Sequence, residues 1–184
     1  MVFIHDTKRT LMMAVDLVNT LPGFDRDDMF TTTNDLESLL EQHPYTGHIE
    51  YTHTTVDSIR DVRSRLRALW NTDRDGGVEL INQMLADGNA LPRLVRHEGY
   101  DWHIHATSDD APLARRMLVE SAMAFVDVIR SDEYSRVRVC DADDCDAVYI
   151  DYSKNQSKRY CDTGNCGNRM NVIAYRARKA QENA

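Results

Sequence analysis

The chain has 184 residues, 42% of them apolar, and a formal net charge of −8. This length and apolar content fit one domain with its own core, or one domain with a small appendage. His5, Asp6 and Asp16 interrupt the apolar opening segment, so we expect neither a signal peptide nor a membrane span there. We therefore expect a soluble cytoplasmic protein whose cysteines stay reduced.

Apolar spacing predicts helices through most of the first 130 residues. In chain order they cover about 8–19, a short segment after Thr33 or Asn34, then 56–70, 78–86 and 110–130. We expect Glu37 to complete a capping box at the start of the second helix. Residues 75–77 (Asp-Gly-Gly) predict a break before the fourth helix. The arginines of the third helix are expected to form a solvated face: Arg60, Arg63, Arg65 and Arg67.

Between residues 91 and 107 the pattern changes to that of a β-hairpin, with its turn near 97–100. His103 and His105 would share one face of the second strand, a spacing that a metal could use. No third ligand of matching kind lies beside them, so packing on a sheet face is the better interpretation. The first 130 residues contain no nucleophile elbow, phosphate-binding loop or histidine–glutamate metal motif, so we do not predict an enzyme.

Two polar residues of the first helix, Asp16 and Asn19, lie three positions apart beside its apolar face. They could line a ligand-binding cleft of the N-terminal domain. Alternatively, they could be buried hydrogen-bonding groups that fix this helix against its neighbours. We favour the structural interpretation and keep the ligand site as a hypothesis.

All four cysteines fall in one short window, as C-x4-C, fifteen intervening residues and a second C-x4-C. They are Cys140, Cys145, Cys161 and Cys166. Clustered thiols in a reducing compartment favour a metal site over two disulfides or a labile iron–sulfur cluster. Four thiolates complete a tetrahedral zinc shell and leave no position for water, so we predict one structural Zn²⁺ per chain and no catalysis at it.

The cysteine window also has a predicted local fold. Residues 147–152 alternate as a strand, 153–157 form a turn and 158–160 return toward Cys161. A helix is expected over about 170–180. This order resembles a treble-clef-like finger, in which the last ligands sit at the start of the helix. The predicted fold class is α+β, with a helix-rich N-terminal domain containing one hairpin (1–133) and a small zinc finger (134–184).

The run Cys166-Gly167-Asn168-Arg169 resembles the motif that names the CGNR zinc-finger family. The resemblance continues through 149–155, 158–161 and 175–178. Members carry an N-terminal domain termed ABATE, described as a stress-induced transcription regulator, and residues 14–20 (AVDLVNT) are similar to its opening motif. The resemblance implies a zinc-dependent DNA-binding tail on a helical sensory or regulatory domain.

Charge distribution bears on DNA binding. Residues 1–152 carry a net charge of −13, whereas 153–184 carry +5. The candidate DNA-binding residues are Lys154, Lys158, Arg159, Arg169, Arg176, Arg178 and Lys179. The first cysteine pair is surrounded by four aspartates, so the finger must keep its acids and bases apart to bind a polyanion. Alternatively, these bases neutralise the thiolates or form salt bridges with acidic residues.

Two functional hypotheses follow. The first is a transcription regulator, with an N-terminal domain that senses a small molecule or protein and a zinc finger that binds DNA. The second is a protein–protein adaptor that never touches DNA. We expect no membrane partner. A homodimer would help a weak finger to bind, although no heptad pattern predicts one.

Overall fold

The computed structural model describes residues 3–23, 26–96 and 102–182. The helices are α1 (His5–Val18), α2 (Thr33–Gln42), α3 (His53–Ala68), α4 (Arg74–Asp87), α5 (Leu113–Arg130) and α6 (Cys166–Glu182). The strands are β1 (Arg93–Val95), β2 (His103–His105), β3 (Val137–Val139) and β4 (Val148–Ile150), with a 3₁₀ turn over Tyr134–Arg136. The predicted α+β class is confirmed.

Helix α5 is the centre of the N-terminal part, because α1, α3 and α4 all pack against it. Its buried face includes Met117 and Phe125, which have no exposed surface. The Phe125 ring meets the Trp70 indole edge to face, with 5.4 Å between ring centroids. This arrangement follows from an amphipathic stripe on each helix, since apolar faces must bury against one another.

The two sheets are both antiparallel pairs. Strands β1 and β2 pair in the register Leu94↔Ile104, as the predicted hairpin requires, and its turn at 97–100 lies outside the described residues. Strands β3 and β4 pair in the register Arg138↔Tyr149. This second pairing corrects our prediction, which folded 147–152 back onto 158–160. The partner of β4 lies before the first cysteine, and so the hairpin encloses Cys140 and Cys145.

Helices α1 and α6 begin earlier than predicted and α5 begins later, while α2, α3 and α4 begin earlier at residues that side chains cap. Helix α2 is capped by Thr32, and Asp35, not Glu37, completes the capping box. Thr52 caps α3. Asp73 caps α4, so the glycines at 76 and 77 lie in its first turn instead of breaking the chain before it. In each case a side-chain oxygen accepts the backbone N–H three residues on, and this bond sets the helix boundary.

Arg63 corrects the prediction that the α3 arginines form a solvated face. Its side chain is only 3% exposed, and its two terminal nitrogens each lie 2.7 Å from an oxygen of Asp28. This bidentate contact supplies the counter-charge of the buried guanidinium, whose Nε has no hydrogen-bond partner among the described residues. Asp28 also accepts a bond from Arg60. The pair fixes the loop before α2 onto α3.

The zinc-finger region shares the main core. Val148 and Ile150 of β4 belong to the same buried cluster as the helices. The indole of Trp70 donates to the carbonyl of Tyr149 at 3.2 Å, and Arg67 donates to the carbonyl of Asp146 at 2.8 Å. Among the residues that the structure describes, we find no helix with the length and apolar content that crossing a membrane requires.

Candidate functional site

The four cysteines converge at one point, although they lie in three segments of the chain: the β3–β4 connection, the loop after β4 and the start of α6. Cys140 follows β3, Cys145 lies in the turn before β4, Cys161 is in the following loop and Cys166 begins α6. One ligand atom from each lies within 4.8 Å of the other three. A search of the described residues for clusters of three or more potential metal ligands finds these four cysteines.

The spacing of the sulfur atoms fits zinc. The Sγ atoms of Cys145 and Cys161 are 3.7 Å apart, as are those of Cys161 and Cys166. Tetrahedral zinc with Zn–S bonds of about 2.3 Å places its sulfur ligands about 3.8 Å apart. Burial and the neighbouring thiols raise the pKa of the Cys166 thiol, so its ionisation is unfavourable without a metal. A divalent cation would remove this penalty by binding the thiolate. The cysteines form a site for one structural zinc.

Local hydrogen bonds hold the first two cysteines in position. The backbone N–H of Cys140 donates to the carbonyl of Ala147 at 2.8 Å, which extends the β3–β4 ladder to the metal site. The N–H of Cys145 donates to the carbonyl of Ala142 at 3.0 Å, which closes a tight turn. The hairpin thus presents both thiols on one side, opposite the start of α6.

Three of the seven candidate DNA-binding residues form ion pairs beside the metal site. Arg169 lies 2.7 Å from Asp144 and also donates to Cys166 Sγ at 3.3 Å. Arg159 lies 2.9 Å from Asp141. Lys158 Nζ is 2.5 Å from Asp162. Acidic and basic side chains are therefore interleaved around the cysteines. This agrees with the alternative interpretation of the sequence, in which the bases form salt bridges with acidic residues.

The other four candidate residues are exposed. Lys154 lies on the turn after β4, while Arg176, Arg178 and Lys179 lie on the outer part of α6. The ammonium of Lys179 lies over the Tyr175 ring, 5.9 Å from its centroid. Every residue from 171 to 182 is exposed, and Cys166 is the buried residue of the helix. Helix α6 thus projects from the metal site into solvent.

Asp16 and Asn19 make contacts with different partners. The Asn19 side chain is buried, donating to the Val148 carbonyl at 3.0 Å and accepting from its N–H at 2.8 Å. Asp16 lies 2.7 Å from Nε2 of His43. These contacts favour the structural interpretation, and the ligand-binding role of the two residues stays a prediction.

A cavity of about 620 Å³ lies elsewhere in the N-terminal part, between α1, the segment after α2, the β1–β2 hairpin and α5. Its lining includes Glu120, Arg116 and Tyr45 but neither Asp16 nor Asn19. Volumes between about 300 and 1,000 Å³ are typical of small-molecule sites. Our sequence reasoning missed this cavity. A signal did exist, because Glu120 lies in line with Leu113 and Met117 on the buried stripe of α5.

Glu120 and Tyr45 are two titratable groups of the cavity whose pKa values depart from the ordinary ones. Burial raises the pKa of Glu120 from 4.5 to about 7, against the opposing effects of the Tyr45 hydroxyl and the Arg116 charge. Burial likewise raises the pKa of Tyr45 well above its usual value. A carboxyl group with such a pKa exchanges its proton near neutral pH, which is a frequent property of binding sites.

His103 and His105 also line the cavity, with their Nε2 atoms 3.1 Å apart. Nδ1 of His105 lies 3.6 Å from Asp109. Among the described residues no third ligand completes a metal site with them. Ile104, on the other face of β2, lines the cavity as well, so the histidine face is not the only one that borders it.

Comparison with known families covers nearly all of the chain. The CGNR zinc finger family matches residues 136–179. The ABATE family, described as "Putative stress-induced transcription regulator", matches residues 12–132. Neither description is that of an enzyme, and a search of curated proteins finds no match to the chain. Since the ABATE match spans well over half of its length, the chain belongs to the ABATE family and carries a C-terminal CGNR zinc finger with four cysteine ligands.

Proposed function

We propose that this protein is a zinc-dependent DNA-binding transcription regulator whose N-terminal domain (1–133) senses an effector and whose zinc finger (134–184) contacts DNA. The observation that carries the proposal is the exposure of α6 from residue 171 to 182, shortly after the cysteine site. Beyond its first turn, where Cys166 and Met170 pack in the cysteine cluster, the helix is exposed and available to a partner. Its basic side chains favour a polyanion as that partner.

The geometry of α6 supports contact with a DNA groove. With 17 residues it is roughly 25 Å long, and the major groove of about 12 Å width admits an α-helix. Arg169, Arg176 and Lys179 fall within about a third of the helix circumference at 100° per residue. Zinc bound at Cys166 would hold the helix start in a fixed direction, so these cations would approach phosphates together.

The expected affinity is modest. Four to six phosphate contacts, the most that these residues could supply, correspond to roughly micromolar binding or weaker at physiological salt. The existing ion pairs of Arg159 and Arg169 must also open before these residues reach phosphate. Pairing of two chains on one duplex would therefore strengthen binding, and we propose a homodimer as the DNA-bound form.

A salt titration tests DNA binding directly. Fluorescence anisotropy of a labelled mixed-sequence duplex should show affinity that falls steeply between about 50 and 200 mM salt. The double variant Arg176→Ala/Lys179→Ala should bind more weakly and lower the log–log salt slope by roughly two, about one for each phosphate that the variant no longer binds. The matched control is Arg115→Ala/Arg130→Ala, which removes two exposed charges from α5. Equal effects of both double variants, or no salt dependence, would refute the proposal.

A protein–protein adaptor is the second candidate function, and the apolar residues of α6 favour it. Val172, Ile173 and Tyr175 are 43%, 52% and 56% exposed, on the part of α6 that lies beyond the cysteine cluster. Exposed apolar side chains on a projecting helix are suited to a groove in another protein. In this case Val172→Ser/Ile173→Ser, and not Arg176→Ala/Lys179→Ala, would change association in gel filtration, while DNA would not bind at any salt concentration.

Sensing by the N-terminal domain is proposed to act through α1. Asp6 and Met13 are among the residues of α1 that line the cavity, while the residue after its last turn, Asn19, forms hydrogen bonds with Val148 of β4. A ligand that shifts α1 would therefore act on the strand that supports the first cysteine pair. Such coupling between two sites is reciprocal, so DNA should also change the affinity of the cavity for its ligand.

A further inference from the structure

The chemistry of the N-terminal cavity indicates what kind of ligand it takes. Much of the lining is apolar, with Tyr45, Trp102, Ile104 and Met123 contributing large side chains. Trp102 and Ile104 are 62% and 53% exposed, so much of their apolar surface is in contact with water. A ligand seated between the β1–β2 hairpin and α5 would cover them and gain from the removal of their surface from water.

The charged lining is dominated by carboxyl groups. Asp6, Asp109, Glu120 and Asp127 face two guanidinium groups, those of Arg9 and Arg116. Of these acids, Asp127 accepts a bond from the Thr7 hydroxyl, and Asp109 lies near His105. The other two acids are Asp6 on α1 and Glu120 on α5, of which Glu120 lies in the desolvated part of the site.

Arg116 does not offer its terminal nitrogens to an incoming anion. It is only 3% exposed, and they donate to the backbone carbonyls of Thr46 and His48. Its function in the cavity is to fix the segment after α2, so that Tyr45 stays against Glu120. An anionic ligand would thus meet an excess of carboxyl groups, while the terminal nitrogens of Arg116 are already occupied by backbone carbonyls, which disfavours anions as a class.

Glu120 is suited to hold a cation. A carboxylate in an apolar site is costly unless it is paired, and a bound positive charge removes that cost. The Tyr45 hydroxyl lies close enough to Glu120 to lower the pKa of its carboxyl group. The aromatic faces of Tyr45 and Trp102 also attract organic cations, since the face of a π-system carries partial negative charge.

We propose that this cavity binds a small organic cation that carries an apolar group, with the Glu120 carboxylate as the partner of the positive charge. The apolar group would lie against Trp102 and Ile104. The role of this ligand as the effector of the regulator rests on the function proposed above. The binding itself does not, because it needs neither DNA nor α6.

Three probes of similar size separate charge from shape: benzyltrimethylammonium, its uncharged carbon isostere neopentylbenzene, and the anion phenylacetate. Binding is followed without DNA by the NMR shift of the Trp102 indole. Trp70, buried against Phe125, is the internal reference and should not move. We expect the cation to bind at least about tenfold more tightly than its isostere, and the anion to bind least.

The matched variants are Glu120→Gln, which keeps the shape and an acceptor for Tyr45, and Glu79→Gln, which removes an exposed charge from α4 outside the cavity lining. Glu120→Gln should bring the cation and its isostere within about twofold of each other, whereas Glu79→Gln should retain the preference. A preference that survives Glu120→Gln in protein with an unchanged Trp70 signal would overturn the proposal. So would equal or tighter binding of the isostere or the anion to the unmodified chain. A loss of DNA binding alone would refute the regulator and leave this site standing.

Discussion

The side-chain amide of Asn19 forms two hydrogen bonds with the backbone of Val148, 129 positions later in the chain. Both groups are buried, so the contact joins the end of α1 to β4 in a place that water does not reach. The Asn19 side chain thereby satisfies both the backbone N–H and the C=O of Val148, which point away from β3. The N-terminal helices and the zinc finger are consequently parts of one packed structure.

Replacing Asn19 with alanine should lower the free energy of unfolding by about 2 kcal/mol, because the N–H and C=O of Val148 would be buried without partners. Urea unfolding followed by circular dichroism measures the change. Asn171→Ala on exposed α6 is the matched control and should stay within about 0.5 kcal/mol of the unmodified protein. Similar values for both variants would mean that the Asn19 contact contributes little.

Metal analysis of protein purified without chelators should find about one equivalent of zinc, and Cys161→Ser should lose it. Because β4 packs into the main core, zinc removal should also increase hydrogen exchange at the amides of β3 and β4, while α5 changes least. Less than about half an equivalent of zinc in the unmodified protein would contradict the structural site.

The Asp28–Arg63 pair should contribute strongly to stability. Asp28→Asn leaves a buried guanidinium without its counter-charge and should cost about 2–4 kcal/mol at neutral pH. Asp57→Asn is the control, since its ion pair with Arg60 is largely exposed and worth little. Chemical unfolding of both variants at pH 7 distinguishes the buried pair from the exposed one.

The same pair has a defined pH dependence. The hydrogen bonds from Arg63 hold the pKa of Asp28 well below its ordinary value of 3.8, against the effect of burial. A depressed pKa in the folded state adds stability that is fully present above about pH 4 and is lost as the pH falls below it. The difference between Asp28→Asn and the unmodified chain should therefore be constant from pH 5 to 8 and shrink at lower pH. A constant difference down to pH 3 would contradict the ion pair as its cause.

The zinc site could be predicted from sequence because its ligands are four residues of one rare type within a short window. The pairing of β3 with β4 could not, because 158–160 and 137–139 are both plausible partners and only packing against α1 and Trp70 selects the second. Arg63 shows a similar limit. Its position on α3 looks solvated until the loop carrying Asp28 covers it, and sequence periodicity does not place that loop. The cavity depends in the same way on how the hairpin meets α5.

Glu120→Gln should stabilise the protein at alkaline pH. The pKa of Glu120 rises from 4.5 to about 7 on folding, so the folded state holds a proton that the unfolded state has lost. The unmodified protein therefore loses stability as the pH rises from 4.5 to 7. We expect Glu120→Gln to be more stable by about 1–3 kcal/mol at pH 8 and nearly equal at pH 4.5. Thermal unfolding of both proteins between pH 4.5 and 8 tests this pH dependence. Glu79→Gln is the control, and its stability relative to the unmodified protein should not change over the same range.

The ion pair between Arg169 and Asp144 should limit DNA affinity. Each cation held by a neighbouring carboxylate must leave that carboxylate before it can displace a counterion from phosphate. Asp144→Asn removes the competitor, so Arg169 becomes available while the metal ligands are unchanged. At about 0.1 M salt, one added phosphate contact should tighten DNA binding by roughly two- to eightfold and steepen the log–log salt slope by about one.

Asp143→Asn is the matched control for this prediction, because Asp143 is an exposed neighbour in the same turn and is not the carboxylate that Arg169 contacts. It removes the same charge, but at most it weakens a screened repulsion, so affinity should rise less and the slope should stay unchanged. Anisotropy titrations at several salt concentrations, on protein with verified zinc content, separate the two effects. Equal slopes for the two variants would show that Arg169 does not reach phosphate, and DNA contact would then rest on the outer residues of α6 alone.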